Sequence, residues 1–171
     1  MFKNLFLSLL FSAGAKVFGQ QQNRLIHYHL GFNITYVKNY PDFTLPVGIG
    51  IIGTATLDKF AKLKPTLELN AIGFPEFKLF GNNSRDEQHY DYGIYTFLLG
   101  AKFKLTNFFR ISLIMGPTFI STDEKLTWGF KPAIELNPGR DKFLIHLYYL
   151  QLFGSSNIEN VIGTSFLFKL R

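Results

Sequence analysis

The chain carries four histidines and no cysteine, so the chemistry available to it rests on few residues. His27 and His29 are two apart, and on a strand, where side chains alternate, both face the same way. Such a pair would bring two imidazoles to one metal ion. A third ligand is not apparent, and the two read better as polar residues of a lumen or of its periplasmic rim. His146 with Ser112 or Ser165 would supply the base and nucleophile of a lipid-modifying enzyme, but no motif spacing joins them. Glu68 and Glu135 would form an acid/base pair. Lys64, Lys102, Arg110, Lys131 and Lys169 share their alternation phase, however, and the set reads better as a structural network of opposite charges. Asn33 in "NIT" and Asn82 in "NNS" match the glycosylation pattern, and the first falls in the small and polar phase. There is no glycine-rich phosphate loop, nucleophile elbow or zinc signature. These residues imply no catalytic group, no cofactor and no resident metal.

The elements that must position these side chains are strands. Eight segments with a period of two, separated by turn residues, run over about 25–36, 45–57, 62–73, 90–105, 109–119, 126–136, 143–153 and 161–170. In seven of them a continuous apolar face opposes a face of Gly, Thr, Ser and charge. The first sets Tyr28, Leu30, Phe32, Ile34 and Tyr36 against His27, His29, Gly31, Asn33 and Thr35. The last sets Ile162, Thr164, Phe166, Phe168 and Leu170 against Val161, Gly163, Ser165, Leu167 and Lys169. The seventh is mixed, because Tyr148 and Leu150 share the phase of His146. Pro117 and Pro132 fall inside strand segments, where each lacks an amide donor, and are expected to mark bulges or strand ends.

The first residues, "MFKNLFLSLLFSAGAKVFGQQQ", follow the order of a secretory leader: Lys3, an apolar run from Leu5 to Phe11, then small residues. Cleavage is expected after Gly19, with Ala15 as the other option, giving a leader over 1–19 and one domain over 20–171. The apolar run is too short to span a bilayer as a helix, which needs about 20 residues. An exported chain without cysteines has neither disulfides nor a lipid-anchored cysteine to hold it. Its basic residues are scattered, which does not suit nucleic acid.

Twenty phenylalanines and eight tyrosines are divided into short pieces, as a membrane barrel requires when each tilted strand crosses in about 9 to 11 residues. Even parity brings both chain ends to one side. Short turns near Asp58-Lys59, Thr106-Asn107 and Pro138-Gly139 then share that side, and the long segments, above all residues 74 to 89, share the other. Orientation separates two classes. A soluble lipocalin-like carrier of a hydrophobic ligand turns its apolar face inward, whereas a membrane barrel turns it outward. The small polar residues suit the narrow inside of eight strands. Tyr28, Tyr36, Trp128 and Phe168, near the ends of apolar faces, suit interface girdles, with Phe166 also toward lipid.

The strand count, the leader, "LIMGPTF" over 113–119 and "GTSFLF" over 163–168 resemble small outer-membrane β-barrel proteins: OmpX-like and OmpA-like barrels and the PorT-like β-barrel domain family. The resemblance covers the whole mature chain as a pattern. It implies an integral bacterial outer-membrane protein, contacting outer-membrane lipid and folded by the barrel assembly machinery. It also implies an aromatic ending in the outward phase, whereas here Phe168 is followed by Lys169, Leu170 and Arg171. The expectation is therefore an all-β, eight-stranded antiparallel up-and-down transmembrane barrel. Its role would be structural, adhesive or ligand-binding through the outer loops, with an extracellular partner that the sequence does not identify. The soluble carrier and a lipid-modifying barrel enzyme are the alternatives.

Overall fold

A run of alternating apolar and small polar residues cannot bury one face without pairing its edges, and eight such runs of similar length can pair all of theirs by closing on themselves. The computed structural model describes residues 25–38, 47–58, 62–74, 92–121, 125–138, 142–154 and 160–170. The strands are β1 (Ile26–Lys38), β2 (Val47–Leu57), β3 (Leu63–Phe74), β4 (Tyr92–Lys104), β5 (Phe109–Ile120), β6 (Lys125–Leu136), β7 (Phe143–Phe153) and β8 (Asn160–Lys169). Each is hydrogen-bonded antiparallel to its sequence neighbours, and β8 returns to β1 to close the barrel. The expected leader, the loop over 75–89, Asn82 and Arg171 lie outside the described residues.

The expected phases hold along the strands. Leu30, Phe32 and Ile34 face out of β1 while His29, Asn33 and Thr35 are buried inside. On the turn side the β4–β5 connection, 105–108, is tight. Between β4 and β5, the Thr106 hydroxyl accepts from the Phe108 amide at 3.2 Å and the Phe109 amide at 2.9 Å, so the side chain of a turn residue satisfies two backbone donors.

Two expectations are corrected. Neither Pro117 nor Pro132 makes a bulge or ends a strand. β5 and β6 run through them, and the register is the same on either side: Thr96 pairs Thr118 and Leu99 pairs Met115 across the interruption near Pro117. Likewise Phe130 pairs Gln151 and Ala133 pairs Tyr148 around Pro132. Each proline removes one donor and leaves a gap in one ladder without inserting a residue. The inward face, moreover, is not uniformly polar. Ile72, Phe74, Ile94, Leu98, Ile114, Ile120, Leu150, Leu152 and Val161 point inward and pack as one cluster filling the loop-side half of the lumen. A smaller cluster, Ile52, Leu144 and Leu167, lies on the β2, β7 and β8 wall.

Closure at the β1–β8 seam depends on a glycine. A Cβ on Gly31 would stand 1.8 Å from the Phe166 carbonyl oxygen and 2.9 Å from the Leu167 Cα, both backbone atoms that cannot move without opening the ladder. Gly53 on β2 is open by comparison, its nearest neighbour being a Leu30 methyl at 3.9 Å. Gly31→Ala is therefore expected to lower stability by at least about 2 kcal/mol, as forced overpacking does, while Gly53→Ala stays within about 0.5 kcal/mol. Urea unfolding of the two variants in the same detergent or bilayer checks the contrast.

Candidate functional site

The two carboxylates inside the lumen, Glu68 on β3 and Glu135 on β6, are each at most 2% exposed. A charge so placed must be paired and hydrogen-bonded to be tolerated. The register supplies the partners, since it sets Arg110 of β5 and His146 of β7 directly across from Glu135. Arg110 Nη1 donates to Glu135 Oε1 at 2.8 Å, while Lys102 Nζ and His146 Nε2 both donate to Oε2 at 2.6 Å. Lys131 reaches from β6 across the lumen to Glu68 Oε1 at 2.5 Å. Its ammonium also stands 3.7 Å from the centroid of the Tyr148 ring, a cation–π contact. Polar walls meet elsewhere through Asn33 Nδ2 donating to Asn70 Oδ1 at 2.6 Å, and through the hydroxyls of Thr56 and Thr66 at 2.9 Å.

A second cluster closes the turn-side rim. Lys64 Nζ donates to Asp58 Oδ1 at 2.6 Å and His27 Nε2 bonds Asp58 Oδ2 at 3.1 Å. Partial burial opposes ionisation of Asp58, but its bonds and attraction to Lys64 and His27 outweigh this and hold the carboxyl below its ordinary value of 3.8. Lys64 thus belongs to the rim rather than to the buried carboxylates. Lys169 stands apart from both clusters: it is half-buried at the same rim and has no carboxylate partner among the described residues.

The catalytic and metal alternatives can be placed on this geometry. Glu135, His146 and Ser165 lie opposite one another on three successive strands, an order that resembles an acid, base and nucleophile. All three are at most 1% exposed, so an acyl chain cannot reach them without opening the barrel. Glu135 is moreover saturated by cations. Glu68 and Glu135 each hold their own partners and do not face one another as an acid/base pair. His27 and His29 point to the same side, but His27 Nε2 is committed to Asp58. Among the described residues no group of three histidines or carboxylates could hold a metal ion.

The outer surface is the reverse of a soluble barrel. Every strand exposes large apolar side chains: Leu30, Ile49, Leu63, Phe97, Leu113, Trp128, Leu147 and Ile162 are all outward. Tyr36 and Trp128 stand at the loop-side end of this band, and Tyr28 and Phe168 at the turn-side end. Phe166 lies one step further in, stacked on Phe32 with ring centroids 5.1 Å apart. An apolar patch encircling a monomer far exceeds the few hundred Å² that soluble proteins leave exposed. This orientation is opposite to that of a lipocalin-like carrier.

The chain has the transmembrane-barrel fold. Ail, the attachment invasion locus protein of Yersinia pestis, solved as an outer-membrane protein in a phospholipid bilayer nanodisc, superposes with a TM-score of 0.59 at 10% identity, covering 84% of this chain and 99% of Ail. A crystal structure of Ail with the heparin analogue sucrose octasulfate gives 0.56 at 12% identity, over 85% and 97% of the two chains. A de novo designed transmembrane β-barrel gives 0.53 at 9% identity, over 88% and 100%. No protein-family model and no curated protein matches the chain. At such identities the likeness is one of fold.

Tyr148, Leu150 and Val161 lie inward in the phase the alternation gave them. Their packing with Ile72, Phe74, Ile94, Leu98, Ile114, Ile120 and Leu152 into one lumenal cluster is what the sequence pattern did not show, because an inward Leu or Ile carries the same signal as a lipid-facing one. Two outcomes follow from the ion pairs. Glu135→Ala leaves Lys102 and Arg110 buried without their counter-ion and is expected to cost about 3–5 kcal/mol in urea unfolding. At the rim, a carboxyl with a lowered value stabilises the fold above the ordinary Asp range and stops doing so as pH falls through that lowered value. The stability gap between wild type and Asp58→Asn should accordingly be fully present above the ordinary Asp range and shrink as pH falls through 3.8 toward the lowered value.

Proposed function

We propose that the protein is an integral bacterial outer-membrane barrel that conducts nothing, catalyses nothing and serves as a rigid membrane anchor presenting its loop-side segments to the exterior. The observation that carries this reading is the apolar girth on all eight strands around a lumen filled by paired charges and packed aliphatic side chains. A filled eight-stranded interior leaves no continuous water path. Insertion would require outer-membrane lipid and, during biogenesis, the barrel assembly machinery.

The partner of the loops is the open part of the function. Ail is described as an attachment and invasion protein, and one of its structures holds a heparin analogue. An attachment role suits a barrel whose longest connection is the segment 75–91. The chemistry of the loops here differs from what a sulfated polyanion selects, because these segments carry Asp86, Glu87, Asp91, Asp123, Glu124 and Glu159 against few basic residues. A cationic or neutral surface is the better-matched partner class.

Three measurements on the full chain test the reading. The protein should stay in the membrane pellet after carbonate extraction, and it should migrate differently on gels with and without boiling. In planar bilayers the folded protein should give no conductance steps. Release by carbonate, or identical migration before and after boiling, contradicts the membrane barrel; regular conductance steps contradict the sealed lumen.

A further inference from the structure

The turn-side mouth of the lumen carries more positive charge than its carboxylates match. Lys62, just before β3, and Lys104, at the end of β4, share the inward phase of Lys64 and Lys102, which are buried two residues further in. Lys142, just before β7, and Lys169, at the end of β8, share the phase of the fully buried Leu144 and Leu167. The register then sets like charges face to face. Lys64 pairs Lys102. Lys104 pairs Arg110 on one side and on the other gives its amide to the Lys62 carbonyl at 2.9 Å. The Lys169 amide bonds the Lys142 carbonyl at 2.9 Å, so these two are neighbours as well. Like charges directly opposite on adjacent strands are destabilising, and here they recur around one end of the barrel.

Two carboxylates answer this charge, and both are occupied. Glu135 is held by Lys102, Arg110 and His146, and Asp58 by Lys64 and His27. Lys62, Lys104, Lys142 and Lys169 have no carboxylate partner among the described residues. In sequence, the neighbouring segments 59–61 and 139–141 add Lys59 and Arg140 against Asp141. Lys62 and Lys142 are exposed and Lys104 and Lys169 half-buried, so exposure falls from the mouth inward and the four are reached from solution. At the other end of the lumen the aliphatic cluster packs across the axis and blocks passage.

A recess lined by one sign of charge within low-dielectric walls focuses its field and concentrates counter-ions. The β3–β4 and β7–β8 edges are half a turn apart in the closed order of strands. Inward side chains from opposite walls of an eight-stranded ring meet, so an anion on the axis is within reach of both lysine pairs. A singly charged ion cannot answer four ammonium groups. A diphosphate carries several charges on neighbouring oxygens, and lysine is a common phosphate binder, acting as a point charge. We propose that the turn-side mouth of the lumen binds a soluble anion of the diphosphate class, between Lys62 and Lys104 on one wall and Lys142 and Lys169 on the other. The four side chains turn away from the lipid-facing surface, so the phosphate comes from solution and not from a headgroup. The inference goes beyond the anchor role and rests only on the closed barrel.

The test uses the full chain refolded in dodecyl maltoside micelles, which contain no phosphate, with pyrophosphate as the probe and titration calorimetry at low salt as the readout. Folding is read separately by the gel shift on boiling, so a chain without the shift defeats the barrel reading rather than this one. Folded wild type should bind one pyrophosphate per chain. The double variants Lys62→Gln/Lys104→Gln and Lys142→Gln/Lys169→Gln should each bind about tenfold to thirtyfold more weakly, since one close charge is worth roughly fivefold in water. Lys38→Gln/Lys125→Gln, at the loop-side ends of β1 and β6, should bind as wild type does. Without pyrophosphate, the first two variants should need at least as much urea to unfold as wild type, because they remove facing like charges. If a double variant fails to fold, the single variants Lys104→Gln and Lys142→Gln carry the test, each with a loss of about fivefold. No saturable binding by folded wild type, or undiminished binding in the folded turn-side variants, would overturn the proposal. An equal loss in the loop-side variant would do the same, by tracing the binding to net charge. A lowered urea midpoint in both turn-side variants without the probe would also overturn it, since the lysines would then already have structural partners. So would binding that disappears when phosphatidylglycerol is added to the micelles, which would assign the lysines to lipid headgroups.

Discussion

Every amide and carbonyl held in hydrocarbon must find its partner within the protein, because a bilayer interior offers no water to replace it. For a chain of short alternating strands, a closed ring is the arrangement that meets this demand, and β8 pairing with β1 from His29–Lys169 to Lys38–Asn160 completes it here. Much else in the structure follows from closure. Eight strands make a narrow ring, and the narrowness accounts for the glycine against backbone at the seam and for the packing of inward side chains against one another across the lumen. The two proline gaps are tolerated because the ladder on the other side of each strand remains paired.

Closure also explains the charges. Once the apolar faces turn to lipid, any polar residue in the opposite phase is confined with the others in a space that water barely enters. Lysine and glutamate there are stable only as partners, and the structure has no buried carboxylate without cations among the described residues. Such pairs contribute little net stability when compared with well-packed apolar groups, but breaking one is costly. Their role is thus to hold particular strands in particular register: Glu135 ties β4, β5 and β7 to β6, and Lys131 ties β6 to β3 across the lumen.

The strands were legible in the sequence because period-two alternation is the direct imprint of a two-faced strand, and β7 carries the predicted bounds, Phe143–Phe153. The phases of Glu68, Glu135, Lys102, Arg110 and Lys131 were readable for the same reason. Which cation meets which carboxylate was not readable, since Lys131 and Glu68 are brought together by the stagger of strands that are not neighbours. The aliphatic filling of the loop-side lumen was hidden as well. Ile94 and Leu98 fall in the phase opposite to the outward Tyr95, Phe97 and Leu99, and apolar residues on both phases of one strand do not show that the inward ones pack together as a core. Pro117 and Pro132 were misread because a missing donor suggests a bulge, whereas a closed barrel can carry the gap without changing register.

The central claim is that the aromatic and aliphatic phase of each strand faces lipid and the other phase faces a sealed lumen. The absence of native cysteine allows single cysteines to be placed one at a time along β8, from 161 to 168, and spin-labelled in the folded, bilayer-embedded protein. Oxygen accessibility should alternate with a period of two, high at Ile162, Thr164, Phe166 and Phe168 and low at Val161, Gly163, Ser165 and Leu167. A profile with the maxima in the second set, or with no alternation, would contradict the account.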